Sequence, residues 1–305
     1  MPVLAEPELT AGGRPISTDP DRFGWLRDST DAVADPAELR RRMDDEGYLF
    51  LPGFLNRDDV RAVREGVMAR FVAEGVVLDA ELGRVAPGRE SYFRPDLAND
   101  PEIGADLRAL IYSPRVMALF DAYFGEPARH FDFTWMRAIT KNGTFPHCDA
   151  VYMNRGARDV ITMWTPLGDV PLEVGGLLLL EGSNHDRGLT EEYCELDVDA
   201  VCDRPGFANR VEALGYQASG AIAADFETVR TRDGGRRWLT AREYRMGDVL
   251  LFTVRTAHGS LDNRSDRLRI SSDSRYQRAS EPMDPRWAGE SPPAHGPESK
   301  IAAIC

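Results

Sequence analysis

Cysteine and long apolar runs are both scarce in this sequence. The four cysteines are scattered without a Cys-x-x-Cys pair, which excludes a disulfide framework and a structural zinc site; they are Cys148, Cys194, Cys202 and Cys305. No apolar stretch approaches the roughly 20 residues that cross a bilayer. The first residues, MPVLAEPELTAGG, lack the basic-then-apolar order of a signal peptide. We therefore expect a cytoplasmic protein without a membrane partner.

Positive charge is also in short supply. The formal net charge is −13, whereas a nucleic-acid partner requires clustered lysine and arginine to contact its phosphates. The charge therefore argues against nucleic acid. It also makes an acidic carrier protein or a polyanionic substrate a less natural partner than a free small molecule, although one local basic pocket could outweigh it. The composition does not indicate an oligomeric state.

The chain length predicts one elaborated domain, because 305 residues are near the upper limit for a single hydrophobic core. Residues 1–34 are rich in Pro, Gly, Asp and Thr and predict an N-terminal arm over the surface. Residues 35–280 form the predicted domain, and residues 281–305 form a loosely packed C-terminal tail. Asp35 and Gly47 bound a first predicted helix. A second helix follows Asn56, where apolar residues recur at helical spacing; these are Val60, Val63, Val67 and Phe71.

From about His130 the pattern changes to short β-rich segments such as VITMWTPL and GDVLLFTV, separated by Gly, Pro, Asn and Asp. Strands after an initial run of helices predict an α+β protein with a β-sandwich or barrel core. Between GSNH and GDVLLF lies a segment far longer than an ordinary strand connection. We interpret residues 186–245 as an insertion that acts as a lid. The alternative is a surface elaboration that serves packing or an oligomer interface.

One His-x-Asp tripeptide is informative, because the chain has only five histidines. In a strand, residues two apart share a face, so His147 and Asp149 would lie side by side with Cys148 turned away. A second imidazole, from His258, would complete a set of two histidines and one carboxylate. With its remaining positions open, that set is typical of non-haem iron(II) oxygenases. The alternative is a loop histidine paired with a neighbouring carboxylate.

A candidate anchor for an anion follows eleven residues after His258. Arg269 lies in a β-like run, with Ser271 on the same face. A guanidinium group binds a carboxylate through two parallel hydrogen bonds, as the distal end of 2-oxoglutarate would require. Three other arginines are alternatives, and each is otherwise expected to be a solvated surface charge; they are Arg264, Arg267 and Arg275.

The order of these motifs resembles the phytanoyl-CoA dioxygenase family, which includes ectoine hydroxylases and many natural-product tailoring enzymes. The matching segments are DEGYLFLPGFLNRDDV, His-x-Asp, WTPLGDVPLEVGGLLLLEGSNH, GDVLLFTVRTAHGS and an arginine eleven residues after the last histidine. They span roughly residues 44–278 of the chain. The resemblance implies a double-stranded β-helix, or jelly-roll, core with helices packed outside it.

The resemblance also implies roles for individual residues. The positions that match the family's iron(II) ligands are His147, Asp149 and His258. By position, Arg269 anchors the co-substrate 2-oxoglutarate, which is used together with dioxygen. Ser260 matches a hydroxyl that contacts the co-substrate, and Trp164 matches an aromatic residue near its pocket.

The sequence departs from the family at two places. Pro146 precedes the first metal histidine, where members often have an aromatic residue. The polar residues expected on the preceding strand are hard to place, and Thr140 or Met136 would fill those positions. Cys148 is expected to be a small packed side chain, because nothing around it marks a base. The remaining histidines are expected to lie outside the metal site; they are His130, His185 and His295.

The resemblance implies hydroxylation of a C–H bond in a small-molecule metabolite of secondary metabolism. One alternative keeps the cofactors but ends in desaturation, epimerisation or cyclisation. Another is a cupin-like protein that binds metal without turnover, although a co-substrate anchor such as Arg269 would have no purpose there. The sequence leaves open whether the substrate is free, bound to coenzyme A or bound to a carrier protein.

Overall fold

The structure is a computed structural model that describes residues 8–89, 92–93, 95–98, 100–201, 220–232 and 234–295. The α-helices in these ranges are α1 Pro36–Glu46, α2 Arg57–Ala73, α3 Pro95–Ala98, α4 Ile103–Ile111, α5 Pro114–Phe124, α6 Val198–Val201 and α7 Phe226–Arg230. The strands are β1 Thr10–Ala11, β2 Arg14–Pro15, β3 Phe23–Trp25, β4 Tyr48–Leu51, β5 Tyr92–Phe93, β6 Ala128–His130, β7 Trp135–Ile139, β8 Ile161–Pro166, β9 Val170–Pro171, β10 Leu177–Leu180, β11 Trp238–Thr240, β12 Glu243–Tyr244, β13 Val249–Thr253, β14 His258–Ser260 and β15 Arg269–Arg278. Within the described ranges, no helix combines the length and apolar character that a membrane span requires.

Helices α1 and α2 each combine a capping side chain with a one-sided apolar pattern. The Asp35 carboxylate accepts hydrogen bonds from the first amides of α1, and Gly47 ends that helix with a φ of 80°. Asn56 caps α2 in the same way. The apolar residues predicted at helical spacing in α2 are all buried; these are Val60, Val63, Val67 and Phe71. Both predicted helices are therefore confirmed.

The larger sheet has the strand order β4-β13-β8-β15-β7-β5, and β6 pairs with the C-terminal end of β15. Its pairings are antiparallel. One face packs against α1, α2, α4 and α5 through a continuous apolar core. On the other face, alternate residues of β15 are both polar and buried; they are Arg269, Ser271, Asp273 and Arg275. Buried polar side chains of this kind require partners or a ligand.

The smaller sheet has the strand order β14-β10-β11-β3. Its strands are antiparallel, except that β3 runs parallel to β11. Side chains from both sheets form one shared core, which includes Trp164 and Leu250 of the larger sheet and Leu179 and Leu239 of the smaller sheet. Two facing sheets with helices packed outside the larger one form the jelly-roll arrangement that the sequence resemblance implies.

Three segments differ from the sequence-based prediction. The predicted N-terminal arm, residues 1–34, contributes β3 to the edge of the smaller sheet. The predicted insertion, residues 186–245, ends earlier than expected, because β11 and β12 pair with β10 and β9. Its residues 202–219 lie outside the described residues. The predicted tail, residues 281–305, is not loosely packed at its start, where Trp287 is fully buried.

Candidate metal centre

The two histidines of the candidate site are joined through their main chains. The His147 amide donates to the His258 carbonyl at 2.9 Å, and the His258 amide donates to the His147 carbonyl at 2.8 Å. His258 begins β14, whereas His147 makes only this isolated bridge, and Asp149 begins a short 3₁₀ helix, Asp149–Tyr152. The prediction of a strand through His147 and Asp149 is therefore wrong. The bridge nevertheless brings the expected side chains together.

The three predicted ligand side chains converge on one point. Their candidate ligand atoms all lie within 4.8 Å of one another. The Nε2 atoms of His147 and His258 are each 3.7 Å from Oδ1 of Asp149. All three residues are buried. Two imidazoles and one carboxylate around a shared point form a suitable donor set for a first-row divalent metal such as iron(II).

Main-chain carbonyl groups orient both imidazoles. Nδ1 of His147 lies 2.8 Å from the Phe145 carbonyl oxygen, and Nδ1 of His258 lies 3.0 Å from the Thr256 carbonyl oxygen. When each Nδ1 donates to its carbonyl, Nε2 is left with a lone pair for a metal. Burial lowers the pKa of His147 to about 3 and also lowers the pKa of His258. Both rings are therefore neutral at physiological pH, which is the state that binds a metal.

The Asp149 carboxylate is held through the oxygen that does not face the histidines. Oδ2 accepts a hydrogen bond from the Thr162 hydroxyl at 2.7 Å and one from Nη2 of Arg275 at 2.8 Å. Burial alone would raise the pKa of Asp149, but Arg275 and the two imidazoles outweigh burial and hold it well below its usual range. Arg275 was one of the alternatives to Arg269 as the anion anchor, and it is not the solvated surface charge otherwise expected, because it is 2% exposed.

Arg269 is buried to the same degree, yet it has no acidic partner. It is 2% exposed and donates to the Gly175 carbonyl and, at 3.4 Å, to the Ser260 hydroxyl. In the described part of the chain, no carboxylate forms an ion pair with it, and its Nε has no hydrogen-bond partner. Burial, followed by the nearby Arg137, lowers the pKa of Arg269 to about 10. Arg269 and Ser260, which the resemblance assigns separately to the co-substrate, are neighbours in the structure.

Arg137 is a residue of this polar face that the sequence-based prediction missed. Its Nε donates to Asp273 at 2.6 Å, and β7 places it opposite Ser271 of β15. Met136, one of the two expected pocket residues, faces the other way into the core beneath the helices. Side chains alternate along β7, so Arg137 faces the opposite side of the sheet from Met136. Assigning Met136 to the core would therefore have identified Arg137 as a residue of the polar face.

Several donors on the inward face lack partners in the described part of the chain. They are the indole N–H of Trp164, the hydroxyl of Ser271, Nε of Arg269, and Nε and Nη1 of Arg275. A buried donor without a partner costs about 1–3 kcal/mol. A cluster of such groups on one face fits a site built for an oxygen-rich anion, because each donor gains a partner when the anion binds.

A cavity of about 350 Å³ lies beside the metal-binding side chains and is lined by His147 and Asp149. Aromatic and apolar side chains form much of its wall; they are Trp135, Phe145, Tyr152 and Met153. Its other charged lining residues are Arg137, Arg275 and His295. Among the described residues, Arg269, Ser260 and Trp164 are not part of this lining. The structure therefore separates a cavity beside the metal site from the polar face around Arg269.

The other histidines and Cys148 have the following surroundings. His130 stacks on Tyr112, with ring centroids 3.6 Å apart, and His185 contacts the Asp44 carbonyl. Cys148 is fully buried, and burial raises the pKa of its thiol. His295 is not among the three converging ligand residues, but it lines the cavity beside His147.

Comparison with known proteins agrees with this geometry. The family model described as phytanoyl-CoA dioxygenase matches residues 43–271. The 1-deoxypentalenic acid 11-beta-hydroxylase of Streptomyces arenae is 28% identical over 279 residues, which cover 85% of this chain and 87% of that protein.

Two solved structures from nogalamycin biosynthesis have a similar fold. The epimerase SnoN, in complex with Fe³⁺, alpha-ketoglutarate and nogalamycin RO, has a TM-score of 0.54 and 23% identity, covering 85% of this chain and 93% of SnoN. The carbocyclase SnoK has a TM-score of 0.53 and 20% identity, covering 85% of this chain and 90% of SnoK. Because the family model spans most of the domain, the resemblance seen in the sequence is confirmed, and the chain belongs to the phytanoyl-CoA dioxygenase family.

Proposed function

We propose that the protein is an iron(II)- and 2-oxoglutarate-dependent dioxygenase that hydroxylates a C–H bond of a small-molecule metabolite. The observation that carries this proposal is the convergence of His147, Asp149 and His258 beside a cavity. Three protein ligands leave coordination positions for a co-substrate and dioxygen. Membership of a dioxygenase family opposes the non-catalytic, cupin-like alternative.

In this proposal, Nε2 of His147, Nε2 of His258 and Oδ1 of Asp149 hold the iron. Bound iron(II) supplies the redox chemistry that couples decarboxylation of 2-oxoglutarate to oxidation of the substrate. The protein fixes the ligands before the metal arrives, because carbonyl groups orient both imidazoles. Thr162 and Arg275 hold the second oxygen of Asp149, so its first oxygen remains directed at the metal position.

We assign the distal carboxylate of 2-oxoglutarate to Arg269, with the Ser260 hydroxyl and the Trp164 indole N–H beside it. The polar inward face carries three guanidinium groups and two carboxylates; these are Arg137, Arg269, Arg275, Asp149 and Asp273. The two carboxylates are paired with Arg275 and Arg137, which leaves Arg269 as the cation without a counter-ion. Ser260 follows His258 by two residues along β14, about 7 Å, so a short dicarboxylate can join the guanidinium to the metal position.

The substrate that we propose is a compact, largely apolar metabolite. The cavity volume of about 350 Å³ and its aromatic wall suit such a molecule. The name of the Streptomyces arenae relative states that it hydroxylates 1-deoxypentalenic acid, so this acid is the first candidate to test. Epimerisation and ring closure are second candidates, because SnoN and SnoK carry out these reactions on a similar fold.

The proposal is tested first without oxygen. Adding iron(II) and then 2-oxoglutarate to the purified protein should give a visible metal-to-ligand absorption band. Aerobic turnover is then measured as succinate release, with 1-deoxypentalenic acid followed by a panel of terpenoid, polyketide and amino-acid metabolites. Product mass separates the outcomes: hydroxylation adds one oxygen atom, desaturation or ring closure removes two hydrogens, and epimerisation leaves the mass unchanged. Absence of both the band and succinate would overturn the proposal.

We further propose that the described part of the 186–245 segment forms part of the cover over the substrate. The support is that Ala221 lines the cavity. Hydrogen exchange of peptides from residues 220–232 should slow when substrate binds to the protein loaded with iron(II) and 2-oxoglutarate. Equal exchange with and without substrate would instead favour a packing role for this segment.

A further inference from the structure

The C-terminal segment, residues 282–295, packs against the wall of the cavity. Trp287 is fully buried and lies 4.7 Å from Trp135, measured between ring centroids. Its indole N–H donates to the Tyr152 carbonyl at 3.1 Å. Trp135 and Tyr152 both line the cavity. The segment therefore supports two cavity residues and places its own end, His295, in the lining.

His295 is held in a defined position at this end of the segment. Its Nδ1 lies 3.0 Å from Oδ2 of Asp199, a residue that is 1% exposed. Its ring meets Trp287 and Tyr152 edge to face, with centroid distances of 4.9 and 5.7 Å. Ala294, directly before it, has a φ of 54° and is the non-glycine residue with a positive φ in the described part of the chain. Such strained backbone concentrates at functional sites.

Asp199 belongs to a cluster of acidic and basic side chains beside His295. Three carboxylates meet two guanidinium groups in this cluster; these are Asp197, Asp199, Asp284, Arg155 and Arg286. The ring of His295 joins this cluster through Asp199, with Nδ1 at 3.0 Å from Oδ2. Nδ1 faces Asp199, whereas Nε2 has no partner among the described residues. An imidazolium ring placed between Asp199 and a second carboxylate donates one hydrogen bond to each.

Two arginines of the cavity lining are already paired with carboxylates: Arg137 with Asp273, and Arg275 with Asp149. His295 is a further basic residue of this lining, and its Nε2 has no partner among the described residues. Asp149 faces the metal position, where a divalent cation adds further positive charge. The remaining wall is largely apolar. An apolar molecule with one carboxylate that reaches Nε2 of His295 therefore complements this lining better than a neutral molecule does.

We propose that His295 is a substrate-binding residue that donates a hydrogen bond to a carboxylate on an otherwise apolar substrate. Asp199 and the segment of residues 282–295 hold its ring for this contact. The inference rests on the proposed dioxygenase function and adds to it a chemical class of substrate, an apolar organic acid. It also assigns a role to a part of the chain that lies beyond the family match, which ends at residue 271.

The test compares two probes of the same shape, adamantane-1-carboxylate and the neutral adamantane-1-carboxamide. Binding is measured by calorimetry on the full chain, without oxygen, with iron(II) and saturating 2-oxoglutarate so that the metal and Arg269 are already engaged. The unmodified protein should bind the carboxylate more tightly by about tenfold or more, as expected for a charge-assisted hydrogen bond. His295→Leu should remove that preference, whereas His295→Gln, which keeps a donor, should retain part of it.

A merely structural role for His295 predicts a different result. Displacement of the cavity wall would weaken the binding of both probes equally and leave the ratio of their affinities unchanged. His185→Leu is the matched control, because the ring of this exposed histidine contacts the Asp44 carbonyl and is not in the cavity lining of the described chain. An unchanged ratio in His295→Leu overturns the inference, as does a lack of carboxylate preference or of any probe binding in the unmodified protein. The absorption band of iron(II) and 2-oxoglutarate is recorded in each sample. Loss of the band signals failure of the proposed function, whereas a present band with an unchanged ratio rejects only the role of His295.

Discussion

Arg269 and Arg275 lie on the same face of β15 and are each 2% exposed, but their surroundings are opposite. Arg275 donates to Asp149 at 2.8 Å, whereas no carboxylate in the described ranges pairs with Arg269. A buried ion pair is costly to break, because one charge is left uncompensated. A buried cation without a counter-ion is already in that unfavourable state. The comparison assigns Arg275 to the folded framework and supports the proposal that Arg269 binds an anion.

The largest expected effect is on stability, in Arg275→Met. Removing this guanidinium leaves the buried carboxylate of Asp149 without its cation, so the free energy of unfolding should fall by about 3–5 kcal/mol. Urea denaturation of the metal-free protein measures the change. The matched control is Arg278→Met, on the same strand but partly exposed and paired with Asp159, which should lose no more than about 1 kcal/mol. Equal losses in the two variants would contradict the comparison.

Arg269→Met should affect co-substrate binding and not stability, the opposite of what is expected for Arg275→Met. Binding of 2-oxoglutarate should weaken by about 2–5 kcal/mol, because a buried charged contact to the co-substrate is lost. The free energy of unfolding of the metal-free protein should stay the same or rise, because an uncompensated buried cation is replaced by an apolar side chain of similar length. Titration of the absorption band and urea denaturation provide the two readings. Arg267→Met, which removes an exposed pair with Glu173, should change neither, and a larger effect there would mean that the anchor is misassigned.

Thr162→Val tests whether the hydrogen bond to the second oxygen of the Asp149 carboxylate holds that carboxylate in position for the metal. The substitution preserves shape but removes the hydroxyl that donates to Oδ2 at 2.7 Å. A hydrogen bond to a charged group contributes about 1.5–3 kcal/mol, and we expect weaker iron(II) binding within that range in an anaerobic metal titration. Thr165→Val is the control, since its buried hydroxyl has no partner in the described chain and faces away from the site. Equal effects of the two substitutions would argue against this role for Thr162.

The smallest effect is expected for Trp164→Phe. The indole N–H of Trp164 lacks a partner in the described residues, and in the proposed complex it donates to 2-oxoglutarate. Its loss should weaken co-substrate binding by about 0.5–1.5 kcal/mol while iron(II) binding stays unchanged. Trp238→Phe serves for comparison, because that indole already donates to the Phe226 carbonyl at 3.0 Å. Unaltered 2-oxoglutarate affinity in Trp164→Phe would place the co-substrate elsewhere.

The features that the sequence predicted well depend on local interactions. Asp35 and Asn56 cap helices within three residues of themselves, so their role is readable from a few neighbouring letters. The spacing of His147 and Asp149 is equally short. Their convergence was predicted correctly although the strand was not, because the isolated bridge to His258 leaves both side chains facing one point.

The features that the sequence did not predict depend on pairing between distant segments. Arg137 and Asp273 are 136 residues apart in the chain and meet only through the register of β7 with β15. Arg275 looked like a surface charge, because its burial depends on Asp149 and on the Trp135 ring, 4.3 Å away. His295 follows a segment rich in Pro and Gly, and its place in the cavity wall is seen only in the folded structure, where its ring contacts buried Asp199. None of these contacts leaves a periodic pattern in the sequence.

The reciprocal main-chain hydrogen bonds between His147 and His258 have a consequence for handling the protein. Backbone amides and carbonyls set the separation of the two imidazoles, so the ion does not have to organise them. Folding and metal loading are then separate events, in contrast to zinc fingers, whose chains remain unfolded without their ion. A chelator should strip the protein without melting it, and the stored apoprotein should recover its full metal content on simple addition of ferrous salt.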